Sequence, residues 1–440
     1  MKKKLLSLLA LILCVVLCSC LEPVHTDAPY YDTRPDDSNT HDIDSAPADD
    51  QTQTAPDSAE ESGDEETTPS DTDADTDPAD SDAAPDTEQI PVSETVNLIM
   101  VGDILMHDPV LEGGKTEDGY SYEHIFANLA DEISSADLAL FNQEVMIAGE
   151  KYGIQGYPRF NAPFELADAL AAVGFDVAVH ATNHTLDVGK QALLDCLENW
   201  ETKYPEIEVV GMHDSAEDAE HISVIEKNGI KIAILNYSYT VNGAGTAALA
   251  QDPYLVDILD ESRIRRDTAR AEELADFILV AAHWGTEYTH VPSASQKKWA
   301  DIMLECGVDL VLGTHPHVIQ PVEWLEDDNG NRMLVYWSLG NFVNSTGESG
   351  AGKGARMLGA MADVTLMRGD DGEVYISEAS AIPLITHISY EQFGITTYRF
   401  SEYTEEMLSQ SEAKKRIDTT LTYQYCEETY ARVLGDFIKK

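Results

Sequence analysis

Four times between residues 121 and 317 an amphipathic helical pattern runs into a short apolar stretch that ends on a polar tip. The four are "SYEHIFANLADEISSADLALFNQE", "FELADALAAVGFDVAVHATNH", "SRIRRDTARAEELADFILVAAHWG" and "SQKKWADIMLECGVDLVLGTHPH". A helical period followed by an apolar run too short for a second helix predicts helix then buried strand, and its repetition commits the chain to an α/β fold. "TVNLIMVGD" supplies an earlier buried strand, and Gly174 is placed to stop a helix. "HISVIEKNGIKIAILNY" and "MLVYWSLGNF" read as hairpin-like, which predicts a mixed sheet or two sheets. From about Glu373 short strands precede a helical stretch that runs to the last residue. No repeat of 20 to 50 residues is present.

This pattern starts only at about residue 95. Residues 1–20 read as a processing signal: Lys2, Lys3 and Lys4 precede "LLSLLALILCVVL", a run shorter than the roughly 20 residues a helix needs to cross a bilayer. Its end, "LCSC", resembles a bacterial lipoprotein signal, which implies cleavage before Cys20, a lipid on that thiol and a chain anchored outside the cytoplasm to the bacterial cell membrane. A plain secretory signal with an incidental cysteine is the alternative. Residues 21–94 hold 24 acidic residues and one basic residue, Arg34. Such a segment cannot bury enough apolar surface to fold and is expected to be a disordered acidic tether. Residues 95–370 form the expected main domain, and residues 371–440 an extension of strands and helix packed on it.

Charge excludes some partners. The chain has 80 acidic and 28 basic residues, and the part beyond the tether keeps 56 acidic against 24 basic. Nucleic acid, which needs clustered Lys and Arg, is excluded. Three cysteines outside the signal and its lipid site, Cys196, Cys306 and Cys426, give no disulfide framework and no thiolate metal site.

The polar tips carry the chemistry. "GDILMH" offers Asp103 and His107, "NQE" offers Asn142 and Glu144, and "TNHTLD" offers Asn183, His184 and Asp187. "HWGTEY" offers His283 and Glu287, and "GTHPH" offers His315 and His317. In α/β sheets the ligand crevice lies at the carboxyl ends of the strands, so five such tips can converge. Carboxylate, imidazole and amide oxygen without thiolate suit Mn, Fe or Zn, as one ion or as two sharing a carboxylate. Each signal has a plainer reading: a strand-end Asp is often a helix cap, Asn183 and Asp187 can order a turn, and His-Pro-His can be an ordinary loop. His180, on a strand, reads as a core histidine.

"GDILMH", "FNQE", "ATNHTLDVG", "AAHWGTEY", "GTHPHVIQPVE" and "YWSLGNF", in this order over about residues 96–345, resemble the capsule-synthesis protein family of the CapA type, associated with poly-γ-glutamate capsules. The family resembles a branch of the calcineurin-type metallophosphoesterases. That implies a two-sheet α/β sandwich flanked by helices and a metal-dependent hydrolase or transferase site. The resemblance implies Asp103, Glu144, Asn183, His283, His315 and His317 as ligands and His184 as general acid. His107 and Asp187 would be further ligands or supports, and Arg159 and Asn341 would contact substrate, unless they form a salt bridge and a turn. The chain departs from the pattern where His107 lies four residues beyond Asp103, where Glu144 replaces an aspartate and at Thr182. The implied partners are an anionic polymer or a phosphate ester and other capsule-synthesis proteins. An envelope phosphoesterase and a non-catalytic scaffold are the alternative functions.

Overall fold

The computed structural model describes residues 94–243, 245–389 and 394–439. The expected signal, the lipid site at Cys20 and the tether up to residue 93 lie outside them.

Fourteen strands form among the described residues: β1 (Thr95–Ile104), β2 (Leu138–Asn142), β3 (Val177–Val179), β4 (Glu208–Val210), β5 (Ser223–Lys227), β6 (Ile230–Ser238), β7 (Phe277–His283), β8 (Leu310–Thr314), β9 (Val322–Glu326), β10 (Arg332–Tyr336), β11 (Asn341–Val343), β12 (Leu358–Arg368), β13 (Val374–Ser389) and β14 (Gly394–Arg399). They build two sheets, as expected. One has the order β14-β13-β12-β1-β2-β3-β4, with β11 also pairing β1; the other runs β5-β6-β7-β8-β10-β9. Both mix parallel and antiparallel pairs.

Each expected helix-to-strand step is present. Residues Glu165–Val173 lead into β3, Glu261–Leu274 into β7 and Ala294–Glu305 into β8. Gly174 ends its helix in the left-handed region (φ 103°), where a side chain would be strained. Ser293 and Gln296 form a reciprocal capping box at the start of 294–305. β5 and β6 are a hairpin turned by Asn228 and Gly229, both at positive φ, which matches the right-handed strand twist. "MLVYWSLGNF" behaves differently. β10 pairs β9 and β8, while β11 leaves that sheet and pairs β1 of the other. Local pattern cannot show this, because the partner of β11 lies more than 230 residues earlier. β13 is also longer than expected, 16 residues, because it pairs β12 on one side and β14 on the other.

The sheets share a core. Ile232, Ile234, Leu279, Leu310, Leu312 and Leu334 pack with β1, β2 and β12. Their neighbours Ala233, Leu235, Val280, Val311 and Val335 pack instead with Ile264, Ala271, Met303 and Leu304 of the covering helices. Period-two alternation therefore sends one face of the second sheet to the first sheet and the other to helices. The three remaining cysteines are free, and no described helix is long and apolar enough to cross a membrane.

A candidate metal centre

β1, β2, β7 and β8 end at the same edge, and the next residues of the chain turn into one buried space. Gly102 makes this possible at β1: a Cβ there would lie 1.9 Å from the carbonyl oxygen of Gly340, which accepts from the Asp103 amide at 2.9 Å. Backbone therefore packs on backbone beside Asp103.

Glu144 sits at the centre. It is fully buried, and neither carboxylate oxygen has a hydrogen-bond partner. An unsatisfied buried polar group costs about 1–3 kcal/mol, more if charged, so such a side chain signals a missing partner. His283 Nε2 and His317 Nε2 each stand 3.7 Å from Glu144 Oε1. Glu144, His315 and His317 bring ligand atoms within 4.8 Å of one another. His315 Nδ1 is likewise buried and unpartnered. Asn183 Oδ1 lies 2.8 Å from His283 Nε2, and Thr314 Oγ1 lies 3.0 Å from His283 Nδ1. Unmatched carboxylate oxygens ringed by imidazoles and an amide oxygen fit a divalent cation.

Asp103 stands against the "GTHPH" turn. Its Oδ1 accepts from Asn142 Nδ2 at 2.8 Å, and both oxygens lie 3.3 Å from the His315 amide. Its Oδ2 stands 3.1 Å from His317 Nδ1, which is also 3.0 Å from Asn341 Oδ1. Two acceptors hold a proton on Nδ1 and leave Nε2 facing Glu144, as in a carboxylate–histidine–metal arrangement. Asp103 thus holds the His315 amide and the His317 ring in place. His315 (φ 93°) and His317 (φ 57°) both adopt left-handed backbone around Pro316, a costly conformation for non-glycine residues that sites retain when the aim of a side chain depends on it.

Charge follows burial. Burial and the neighbouring histidines hold His283 and His315 well below the usual imidazole range, so both are neutral, as ligands must be. Burial pushes the Glu144 carboxyl up. For His317 burial opposes the charge, but Glu144 and Asp103 outweigh it and raise the ring to about 10, so it carries both protons, and an ion held at Nε2 would displace the one there.

A cleft of about 460 Å³ opens over the centre, lined in part by His107, Phe160, His184, His317, Asn341 and Arg356. His184 Nδ1 lies 2.6 Å from Asp187 Oδ2, which also accepts from the Phe160 amide at 2.9 Å. Asp187 thus fixes the His184 ring. His107 receives the Ser345 amide on Nδ1 at 3.3 Å, outside the Glu144 cluster, and burial lowers it to about 3. Arg159 is exposed and donates Nε–H to the Asp187 carbonyl at 3.1 Å. Asn341 reaches the cleft while holding His317. His180 is buried away from the cluster. Sequence reasoning missed Arg356, which sits in "GAGKGARM" with no local signal of its place.

The family model described as "Bacterial capsule synthesis protein PGA_cap" matches residues 97–346. This chain belongs to the PGA_cap family. Its match thus starts in β1 and covers the centre from Asp103 to Asn341. The chain is 27% identical over 262 residues to "Capsule biosynthesis protein CapA" of Bacillus anthracis, covering 58% of this chain and 61% of that one. It is 34% identical over 184 residues to "PGA biosynthesis protein CapA" of Bacillus subtilis (strain 168), covering 42% and 46%. The match thus spans only about half to three fifths of these PGA_cap relatives' length. Among solved structures, the calcineurin-like phosphoesterase YfkN from Bacillus subtilis matches with 12% identity and a TM-score of 0.39, over 76% of this chain and 99% of that one.

Proposed function

We propose that this protein works at the outer face of the bacterial cell membrane, anchored by a lipid on Cys20 and held off by the acidic segment 21–94. There it assists synthesis, export or attachment of an anionic capsule polymer, poly-γ-glutamate, through a metal-dependent hydrolase or transferase site. The observation that carries the chemistry is Glu144, fully buried with both carboxylate oxygens unmatched among three histidines. Family membership and the names of the two relatives support the pathway.

Glu144, His315 and His317, with His283 and Asn183 beside them, are the residues that would hold one or two divalent ions. Such an ion supplies Lewis acidity and charge for a developing oxyanion. The chain supplies the rest. Asp103 and Asn341 hold the His317 Nδ1 proton and so aim Nε2 at Glu144. Asp187 holds His184 with its Nε2 free of the Asp187 bond, near the Asn242 amide at 3.5 Å. From there His184 can deliver a proton to a leaving group. The closed floor of buried Glu144 and His283 excludes bulk water.

The acidity of the folded part, 56 acidic against 24 basic residues, favours a second reading, a phosphoesterase acting on a small envelope phosphate ester. Full-length protein with Mn²⁺ is assayed on poly-γ-glutamate and on an aryl phosphate. Turnover of the polymer by wild type and not by Glu144→Ala is expected. Turnover of the aryl phosphate alone favours the second reading. Normal capsule output in cells carrying Glu144→Ala or His317→Ala at wild-type protein levels would leave only a scaffold role.

A further inference from the structure

One wall of the cleft comes from "STGESGAGKGAR", residues 345–356, between β11 and β12. Arg356 is only 6% exposed, yet it lines the cleft. Its guanidinium lies 3.6 Å over the Tyr288 ring, which also neighbours His317, with centroids 5.9 Å apart, and Lys353 Nζ, 5.9 Å from its centroid. One tyrosine therefore separates a fixed cation from the candidate metal centre. Arg356 Nη1 donates to Thr346 Oγ1 at 3.0 Å and Nη2 to Glu348 Oε2 at 2.7 Å. The same Glu348 carboxylate pairs with Lys353. Asn341 and Asn344 donate to the Arg356 carbonyl at 3.0 and 2.8 Å, which fixes the main chain behind the guanidinium.

The three charges are unequally held. Arg356 is fixed by Thr346, the Tyr288 face and two asparagines. The Glu348 side chain is 60% exposed on a glycine-rich loop. Its exposed carboxylate regains water when it leaves, and an incoming carboxylate takes over the bonds it gave to the buried guanidinium. Arg356 stays in place when its partner departs, and a preorganised guanidinium beside an ammonium suits a planar carboxylate.

We propose that Arg356 and Lys353 form a carboxylate subsite of the cleft, which binds a free carboxylate of a γ-linked glutamate chain, and that Glu348 holds that place in the free protein. The inference deepens the reading of the cleft as the substrate site and rests on it. It also resolves an electrostatic conflict. A chain this acidic repels a polyanion at long range, and two cations beside the centre supply local attraction at the point where the polymer must sit.

The test measures binding of a γ-linked glutamate hexamer to the full chain by calorimetry, with and without Mn²⁺, using inorganic pyrophosphate as a comparator. Glu348→Gln frees the two cations and is expected to tighten hexamer binding by about three- to tenfold, while Arg356→Gln weakens it by about tenfold or more and Arg356→Lys restores part of it. These changes persist in chelator-treated protein, because the subsite does not include the metal ligands. Thermal melting checks that Arg356→Gln folds, and the surface variant Glu348→Gln carries the test if it does not. Hexamer binding unchanged in Glu348→Gln and in folded Arg356→Gln would overturn the proposal. So would a response of pyrophosphate binding alone, which marks a phosphate site. Arg356-dependent binding without any polymer turnover removes the proposed reaction and keeps the subsite; polymer turnover indifferent to Arg356→Gln does the reverse.

Discussion

Glu144 is the residue on which the centre turns, and its surroundings allow a test that needs no substrate. A ligand bound only by the native state stabilises it by RT ln(1 + [L]/Kd), about 2.7 kcal/mol at a hundredfold excess over Kd. Wild-type protein is therefore expected to melt several degrees higher with saturating Mn²⁺ than after chelator treatment. Glu144→Ala removes the central carboxylate and is expected to abolish that difference while folding at least as well without metal, because it deletes two unmatched buried oxygens. Calorimetric melting with metal analysis of the same samples checks both. An undiminished metal-dependent rise in the variant would show that Glu144 is no ligand. The residue types at the strand tips were legible in the sequence because ligand chemistry is a property of single side chains. The contacts that Asp103 makes were not. Whether its carboxylate opens to a metal or braces His317 depends on a turn 214 residues away that aims the His315 amide at it.

Between elements, the joint of interest is His213, just beyond β4 of the first sheet. Its Nδ1 is 3.0 Å from Asp218, and its Nε2 forms a 3.0 Å ion pair, not aligned as a hydrogen bond, with Asp257 from the segment after β6 of the second sheet. Arg263 also pairs with Asp257 at 2.6 Å and reaches Asp267 at 3.2 Å. Burial opposes the charge on His213, but the two aspartates outweigh it and raise the ring from 6.5 to about 9. A raised folded value stabilises fully below the unfolded value and is lost as pH rises through the folded one. His213→Gln is therefore expected to lower stability by on the order of 3 kcal/mol near pH 6, with the deficit shrinking above pH 7 and gone by about pH 10. Urea unfolding of both proteins across that range decides it; a deficit that does not vary with pH would mean His213 only packs. The helix-then-strand order at this scale was readable because period and punctuation are local. The crossing of β11 to β1, the length of β13 and the aspartates that meet at His213 were not, since each is settled by partners far along the chain.

At the scale of the molecule, net charge governs approach to a polyanion. With 56 acidic and 24 basic residues from position 95 on, the long-range field is repulsive and the cations of the cleft act only nearby. Screening shortens the reach of that field from about 30 Å at 0.01 M salt to about 8 Å at 0.15 M. The association rate of labelled poly-γ-glutamate with the full chain is expected to rise over this interval, the reverse of the usual steered encounter. Stopped-flow measurement of that rate gives the answer, and a rate that falls with salt would place attraction in control.

The centre also draws its side chains from both sheets: Asp103 and Glu144 lie in or just after strands of one, His283, His315 and His317 in or just after strands of the other. No stretch that stops short of His317, and no single sheet, contains the whole arrangement. Any probe seated among these residues is thus a gauge of completeness, silent on every half-made chain and answering only when the last strand tip has arrived.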